Sequence, residues 1–423
     1  MQAGPILYKT KQMVQEKKFE TKYGLPAEVK FCSKCLMSNQ RPVSAMEFKH
    51  NISSKKVTMA FDENGVCDAC RANEQKESID WAKREEQLLQ LLDKHRSKDG
   101  SYDCLVPGSG GKDSAYQAHV LKYKYGMNPL TYTWPPILYT DYGYNNWRNW
   151  IEVGGFDNVT FKPNGKVMKK LTKLAIENIF HPFQTFFFGQ KNLAPKIAAQ
   201  MNIPLIFYGE NEAEYGNPIA DNDTSLRKKS IFAADNLNEI YLGGVSVKEL
   251  QEKHGLSIAD LKLFLPATID EINKSKIEVH YLGYYLRWTP QEVYYYAVEN
   301  TGFKARPFRT QGTYSKYNSI DDKIDDLHFY TTYIKFGIGR TTYDGSQEIR
   351  NKHITREEGV NLVKKFDGEF PDRYFNDIME YIDMKPDHFH DLCDKFRSPH
   401  LWGKDDNGKW ALRHNVSGNG LED

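Results

Sequence analysis

The stretch CLVPGSGGKDSAYQAHV, Cys104 to Val120, decides how this chain is read. Its first residues are apolar and β-prone, and its last ones carry helical spacing, so a strand turns sharply into a helix here. Gly108, Gly110 and Gly111 permit the turn and a close approach of the backbone. Ser109 and Ser114 offer hydroxyls, Lys112 a full cation, and the helix start adds partial positive charge from its N–H groups. The cup suits a pyrophosphate-sized anion. It is not the common G-x-x-x-x-G-K-[ST] phosphate loop, since Val106 stands at the first glycine and Asp113 at the hydroxyl position. A carboxylate beside phosphate implies a bridging divalent cation, Mg²⁺.

Working outward, the pattern alternates. YDCLV, LTYTW, NVTFK and PLIFYG read as strands, separated by the helical SAYQAHVLKYKYG, NNWRNWIEVGG, VMKKLTKLAIENIF and QKNLAPKIAAQM, the last interrupted by Pro195. Repeated strand–helix–strand units predict an α/β fold with an open parallel sheet. Ligands of such sheets bind beyond the carboxyl ends of the strands, which directs attention to 107–114, 139–146 and 209–218. The expected organisation is an N-terminal module over 1–75, a connecting helix over 76–100 and the sheet core over 101–220. A polar helical insert, read as a lid over the strand ends, follows at 221–275, and 276–423 holds the remainder of the core and an α-rich C-terminal region.

The N-terminal module carries Cys32-x-x-Cys35 and Cys67-x-x-Cys70, separated by 31 residues. Two such pairs close a tetrahedron of sulfur around a structural Zn²⁺. Cys104 and Cys393 stand alone, and Cys104 is expected in the core. The start MQAGPILYKTKQMVQEKK lacks the apolar run of a signal peptide, and no stretch approaches the roughly 20 apolar residues of a membrane span. A cytoplasmic, reducing setting is therefore expected, where cysteine pairs hold metal. Lys and Arg total 57 against 56 Asp and Glu, a balance that argues against a nucleic-acid partner.

Ser109-Gly110-Gly111-Lys112-Asp113-Ser114 resembles the signature of the PP-loop ATP pyrophosphatases. Further stretches are similar to the N-acetyl sugar amidotransferases of surface-polysaccharide and flagellin-glycan pathways. They are FCSKCLMSNQRP, FDENGVCDAC, 139–159, 180–198, 203–218 and YIKFGIGRTTYDGSQEIRNKHITREEGV. The resemblance runs from about Phe31 to Phe370. It implies that ATP is cleaved between its α- and β-phosphates, that AMP passes to an acetamido oxygen of an N-acetylated, nucleotide-linked sugar, and that ammonia displaces it to give an acetamidino sugar.

Under this resemblance Ser109–Ser114 hold pyrophosphate and Mg²⁺, and Lys112 stabilises developing charge. Asp141 and Asn145 are expected at adenosine or substrate. Glu210 is the second Mg²⁺ carboxylate and Glu212 orients ammonia or the sugar, while Glu214 is a solvated loop charge. Lys335 and Arg340 reach the α-phosphate or a sugar phosphate, with Arg350 and Glu348 in SQEIR as further candidates. Asp321, Asp322, Asp325 and Asp326 read as a solvated acidic helix face. No glutaminase is visible, because Gln2 follows Met1 and neither Cys104 nor Cys393 sits on a glycine-flanked elbow. A separate glutaminase and ammonia-channel partner is expected. The rival reading is a tRNA-modifying PP-loop thiolase, which needs further cysteines near the loop; only Cys393 follows Ser114.

Overall fold

A computed structural model describes residues 19–43, 47–209, 224–418 and 420–421. Five parallel strands form the central sheet: β1 (Cys104–Pro107), β2 (Pro129–Thr133), β3 (Asn158–Thr160), β4 (Leu205–Tyr208) and β5 (Glu278–Tyr281). Their order is β3-β2-β1-β4-β5, with Cys104 opposite Pro129 and Leu205 opposite Glu278. The chain moves to one side of β1 for β2 and β3, then to the other side for β4. The switch opens a crevice at the carboxyl ends of β1 and β4, just where the glycine-rich turn lies. The α/β parallel fold expected from the sequence is thus present.

Both faces of the sheet are covered, so its central strands are buried throughout. One face takes Leu105, Leu130, Ile206 and Val279 into a core with α5 (Gly165–Ile179) and α6 (Gln184–Gln200). The other takes Cys104, Val106, Leu205 and Phe207 into a second core. That core includes residues of α2 (Trp81–His95), α3 (Lys112–His119), α4 (Asp141–Glu152) and α7 (Pro290–Thr301). The helix α1 (Asp68–Lys76) precedes these and begins at the second cysteine pair.

Three features depart from the sequence reading. α6 runs unbroken through Pro195, because its residues are buried along most of its length and tertiary packing outweighs the lost hydrogen bond. The edge strand β5 was not expected. The segment read as a lid packs instead as part of the core. Phe232, Ile240, Leu250, Leu261, Phe264 and Ile272 are buried with α5 and α6. The Phe264 ring lies edge-on to Trp134 at 5.6 Å, and Asn192 donates to the Phe264 carbonyl at 3.0 Å.

Beyond β5 the chain is helical: α8 (Ile324–Phe336), α9 (Arg340–Arg350), α10 (Arg356–Phe366), α11 (Asp372–Ile382) and α12 (Pro386–Phe396), then a hairpin pairing Trp402–Lys404 with Trp410–Leu412. No helix among the described residues is long and apolar enough to cross a membrane.

Candidate functional site

The turn after β1 is shaped by contact with α4. Gly110 has φ +83°, and a Cβ there would meet the backbone of Trp147 at 2.5 Å, so only glycine fits. Gly111 caps α3 without a side-chain acceptor, which leaves the first-turn N–H groups for an anion. Lys112 is 8% exposed, and its ammonium donates to the Asp113 carboxylate at 2.7 and 2.8 Å. Ser114 Oγ donates to the Gly111 carbonyl at 3.0 Å, bracing the turn.

The loop forms a ridge between two cavities. One, of about 270 Å³, is lined by Ser109, Gly111, Lys112 and Asp113 on one wall and by Asp321, Asp325 and Arg340 on the other. The second, of about 320 Å³, shares Ser109, Gly111 and Asp113 and extends to Gln190, Tyr208 and Arg227. It occupies the crevice between β1 and β4.

Arg340 reaches the first cavity from the start of α9. Its Nε lies 2.9 Å from Asp344 Oδ1, and its guanidinium sits 4.3 Å over the Phe329 ring. The N-cap of α9 is Gly339, which has no side chain to cap with. Asp367 supplies the missing acceptor, receiving the N–H of Gly339 at 3.0 Å, that of Thr342 at 3.2 Å, and the Thr342 hydroxyl. Burial pushes the Asp367 carboxyl up to about 6 despite these bonds.

The four aspartates near α8 are not a solvated face. Asp322 and Asp326 are buried. Asp322 accepts from the amides of Ile137, Leu138 and Ile324, pinning this turn to the segment that leaves β2. Burial raises Asp322 to about 7 and Asp326 to about 6. Asp325 is pushed well up by burial and by Asp321. Asp321 and Asp325 thus face the loop across the cavity. Their sequence signal was the interleaved Ile320, Ile324 and Leu327, all buried, which a solvated acidic run would not contain.

Other expected residues are placed elsewhere. Asp141 and Asn145 are exposed on α4, whereas Gly143 and Asn146 of that helix line the first cavity. Lys335 is not brought to the loop. Its ammonium donates to the Ile179 carbonyl at 2.7 Å and lies over the Tyr23 ring. Gln347 lines the cavity, but Glu348 pairs with His353 instead, and the Arg350 carbonyl accepts from Asn73. Glu210, Glu212 and Glu214 lie outside the described residues.

Cys32, Cys35, Cys67 and Cys70 are all buried, with their sulfurs within 4.8 Å of one another. The Cys32 sulfur accepts the N–H groups of Lys34, Cys35 and Cys67, and Met37 donates to Cys35. Hydrogen bonds from Cys35, Cys67 and Cys70 hold the Cys32 thiol far below its ordinary value. Four converging sulfurs with amide support fit a tetrahedral Zn²⁺. The knuckle docks on the C-terminal helices. Leu36 N donates to Ser346 Oγ at 3.3 Å, and Cβ atoms at Gly345 and Gly359 would lie 2.8 and 3.0 Å from the Leu36 methyl.

Comparison with known proteins adds two findings. Residues 311–416 match the family model described as LPS biosynthesis protein WbpG-like, C-terminal domain. A solved structure described as a predicted subunit of tRNA methyltransferase from Methanocaldococcus jannaschii is 14% identical, with a TM-score of 0.24, covering 54% of this chain and 86% of its own. No curated protein matches. The matched region, a quarter of the chain, includes the wall that carries Asp321, Asp325 and Arg340 to the loop. Residues 311–416 are thus similar to the WbpG-like C-terminal domain of lipopolysaccharide biosynthesis, which supports the amidotransferase resemblance read from the sequence.

Proposed function

We propose that this chain is an ATP-dependent, AMP-forming amidotransferase of lipopolysaccharide or related glycan biosynthesis. One observation carries the reading: the Ser109–Ser114 loop and Arg340 of the WbpG-like domain face each other across one cavity. In this reading the amide oxygen of an acetamido group attacks the α-phosphorus of ATP. The bond to the bridging oxygen breaks, and pyrophosphate leaves onto Lys112 and the first-turn amides of α3. These donors are preorganised where negative charge grows. Arg340 neutralises charge from the opposite wall.

Asp113, with Asp321 and Asp325 opposite, offers the oxygen ligands that suit Mg²⁺, and the ion would screen the phosphates from these carboxylates. Ammonia then adds to the imidate carbon, AMP leaves with the former amide oxygen, and loss of a proton gives the amidine. The second cavity shares Ser109, Gly111 and Asp113 with the first, so nucleotide and acceptor sugar have room on opposite flanks of the loop. Ammonia comes from a separate glutaminase partner.

The test incubates the protein with ATP, Mg²⁺, ammonium and a panel of UDP- and CMP-linked diacetamido sugars. AMP together with a product about one mass unit lighter (NH replacing O) is expected. AMP formed only with tRNA and a sulfur donor would instead assign the loop to thiolation. Amidine formed from glutamine as readily as from ammonium would remove the need for a partner.

A further inference from the structure

A third cavity, of about 210 Å³, lies between the N-terminal module and the start of the C-terminal domain. Cationic and imidazole side chains line it: Arg41, His50, Lys56, His181, His328 and Lys335, with no carboxylate among the described lining residues. Aromatic rings, among them Phe329 and Tyr343, form part of the remaining wall. The His181 and His328 rings stack at 5.0 Å, and Lys56 Nζ lies 3.2 Å from His50 Nδ1.

Arg41 is the informative member. The residue is 4% exposed, and its guanidinium donates to the carbonyl of its neighbour Pro42 at 3.2 Å. Its guanidinium rests 5.6 Å from the Tyr343 ring, and its Nε has no hydrogen-bond partner among the described residues. Neither Arg41 nor Lys56 has a carboxylate within ion-pair distance among those residues. Burying a guanidinium with no carboxylate beside it is costly, Tyr343 and Cys67 offset only part of that cost, and an anion in the cavity would offset more of it.

We infer that this cavity is a second oxyanion site, taking a phosphate or diphosphate group. Its volume suits such a group and is too small for a whole nucleotide. It adjoins the loop cavity through one ring: Phe329 lines it and carries the Arg340 guanidinium on its face. Asp325 and His328, one turn apart on α8, look into the two cavities respectively. The oxyanion is either free, as pyrophosphate or phosphate, or borne by the acceptor as a sugar phosphate. The inference rests on the cavity and not on the amidine reading, so the AMP assay above can fail while this site stands.

The experiment uses the full zinc-loaded chain with Lys112→Ala to silence the loop, titrated calorimetrically with inorganic pyrophosphate. One equivalent is expected to bind. Adding Arg41→Gln should weaken it by about tenfold or more, the effect of losing a charge-assisted bond. Lys56→Ala, at a half-buried and more tolerant position, should weaken it a few-fold and serves as the readout if the Arg41 variant does not fold. Competition by a UDP-linked N-acetyl sugar or a sugar 1-phosphate, lost on Arg41→Gln, would identify the acceptor as the source. Displacement by inorganic anions alone would identify a free-anion site. No pyrophosphate binding to the Lys112→Ala protein, or binding unchanged by both Arg41→Gln and Lys56→Ala, would overturn the site.

Discussion

Arg356 donates its Nε hydrogen to the carbonyl oxygen of Cys35 at 3.2 Å and its terminal nitrogen to that of Cys32 at 3.4 Å, so the first cysteine pair is held by α10. α10 packs beside α9, and Leu36 fills the space between Gly345 and Gly359 of these two helices. The four-cysteine knuckle therefore braces the helix that presents Arg340, though no cysteine lines the loop cavity. Removing zinc with a strong chelator, or Cys67→Ser, should lower Tm on the order of 10 °C and abolish AMP formation together. Zinc content, thermal melts and turnover measured in parallel check this; full activity in zinc-free protein would refute the coupling.

Lys112→Ala should leave Tm and zinc content nearly unchanged, because its main partner is the adjacent, partly exposed Asp113. AMP formation should fall by about 10²–10³, the scale for losing one preorganised stabiliser of developing charge. The measurement is AMP release at saturating ATP.

Gly110→Ala tests the loop backbone. The residue needs φ +83° and has no room for a Cβ against Trp147, so α4 must shift to admit one. A stability loss of about 1–3 kcal/mol in urea titrations, with loss of ATP binding, is expected. Wild-type affinity for ATP in this variant would show that the turn does not carry the nucleotide.

Asp367 gives a pH signature. Its folded-state value, about 6, lies above that of an unfolded aspartate, so the native state binds the extra proton. Its contribution to stability is present below about pH 4 and is lost as pH rises through about 6. Asp367→Asn should flatten this part of the stability–pH curve. The variant should also lower kcat more than it lowers Tm, since the carboxylate holds the first turn of α9 behind Arg340. Urea titrations between pH 4 and 8 decide the first point, and an unflattened curve would place the titration elsewhere.

Strands β1, β2 and β4 were legible as short, largely apolar or β-prone runs bounded by turn residues, and β3 as the β-prone NVTFK following the Gly154-Gly155 turn. β5 was not. It contains Glu278 and His280, and finds its partner Leu205 across the whole inserted segment. The loop and the cysteine set were legible because their chemistry is local in sequence. Lys335 and Arg340 read as a pair because they are five residues apart. α8 ends at Phe336, however, and the left-handed turn at Gly337 starts a new helix direction, sending the two cations to different cavities. The burial of Asp322 and Asp326 likewise depends on contacts with the segment after β2 that no spacing rule exposes.

The two walls of the loop cavity come from distant parts of the chain, Asp113 on one side and Arg340 on the other. A nascent chain that has emerged to the end of β5 has every strand of its sheet and the entire glycine-rich turn. It still lacks the arginine opposite. Contacts of such long sequence separation form late in folding. Newly made or truncated chains should accordingly hold ATP poorly and waste none of it. On the amidotransferase reading proposed above, the capacity to cleave nucleotide would arise only once the segment that carries Arg340 has been made.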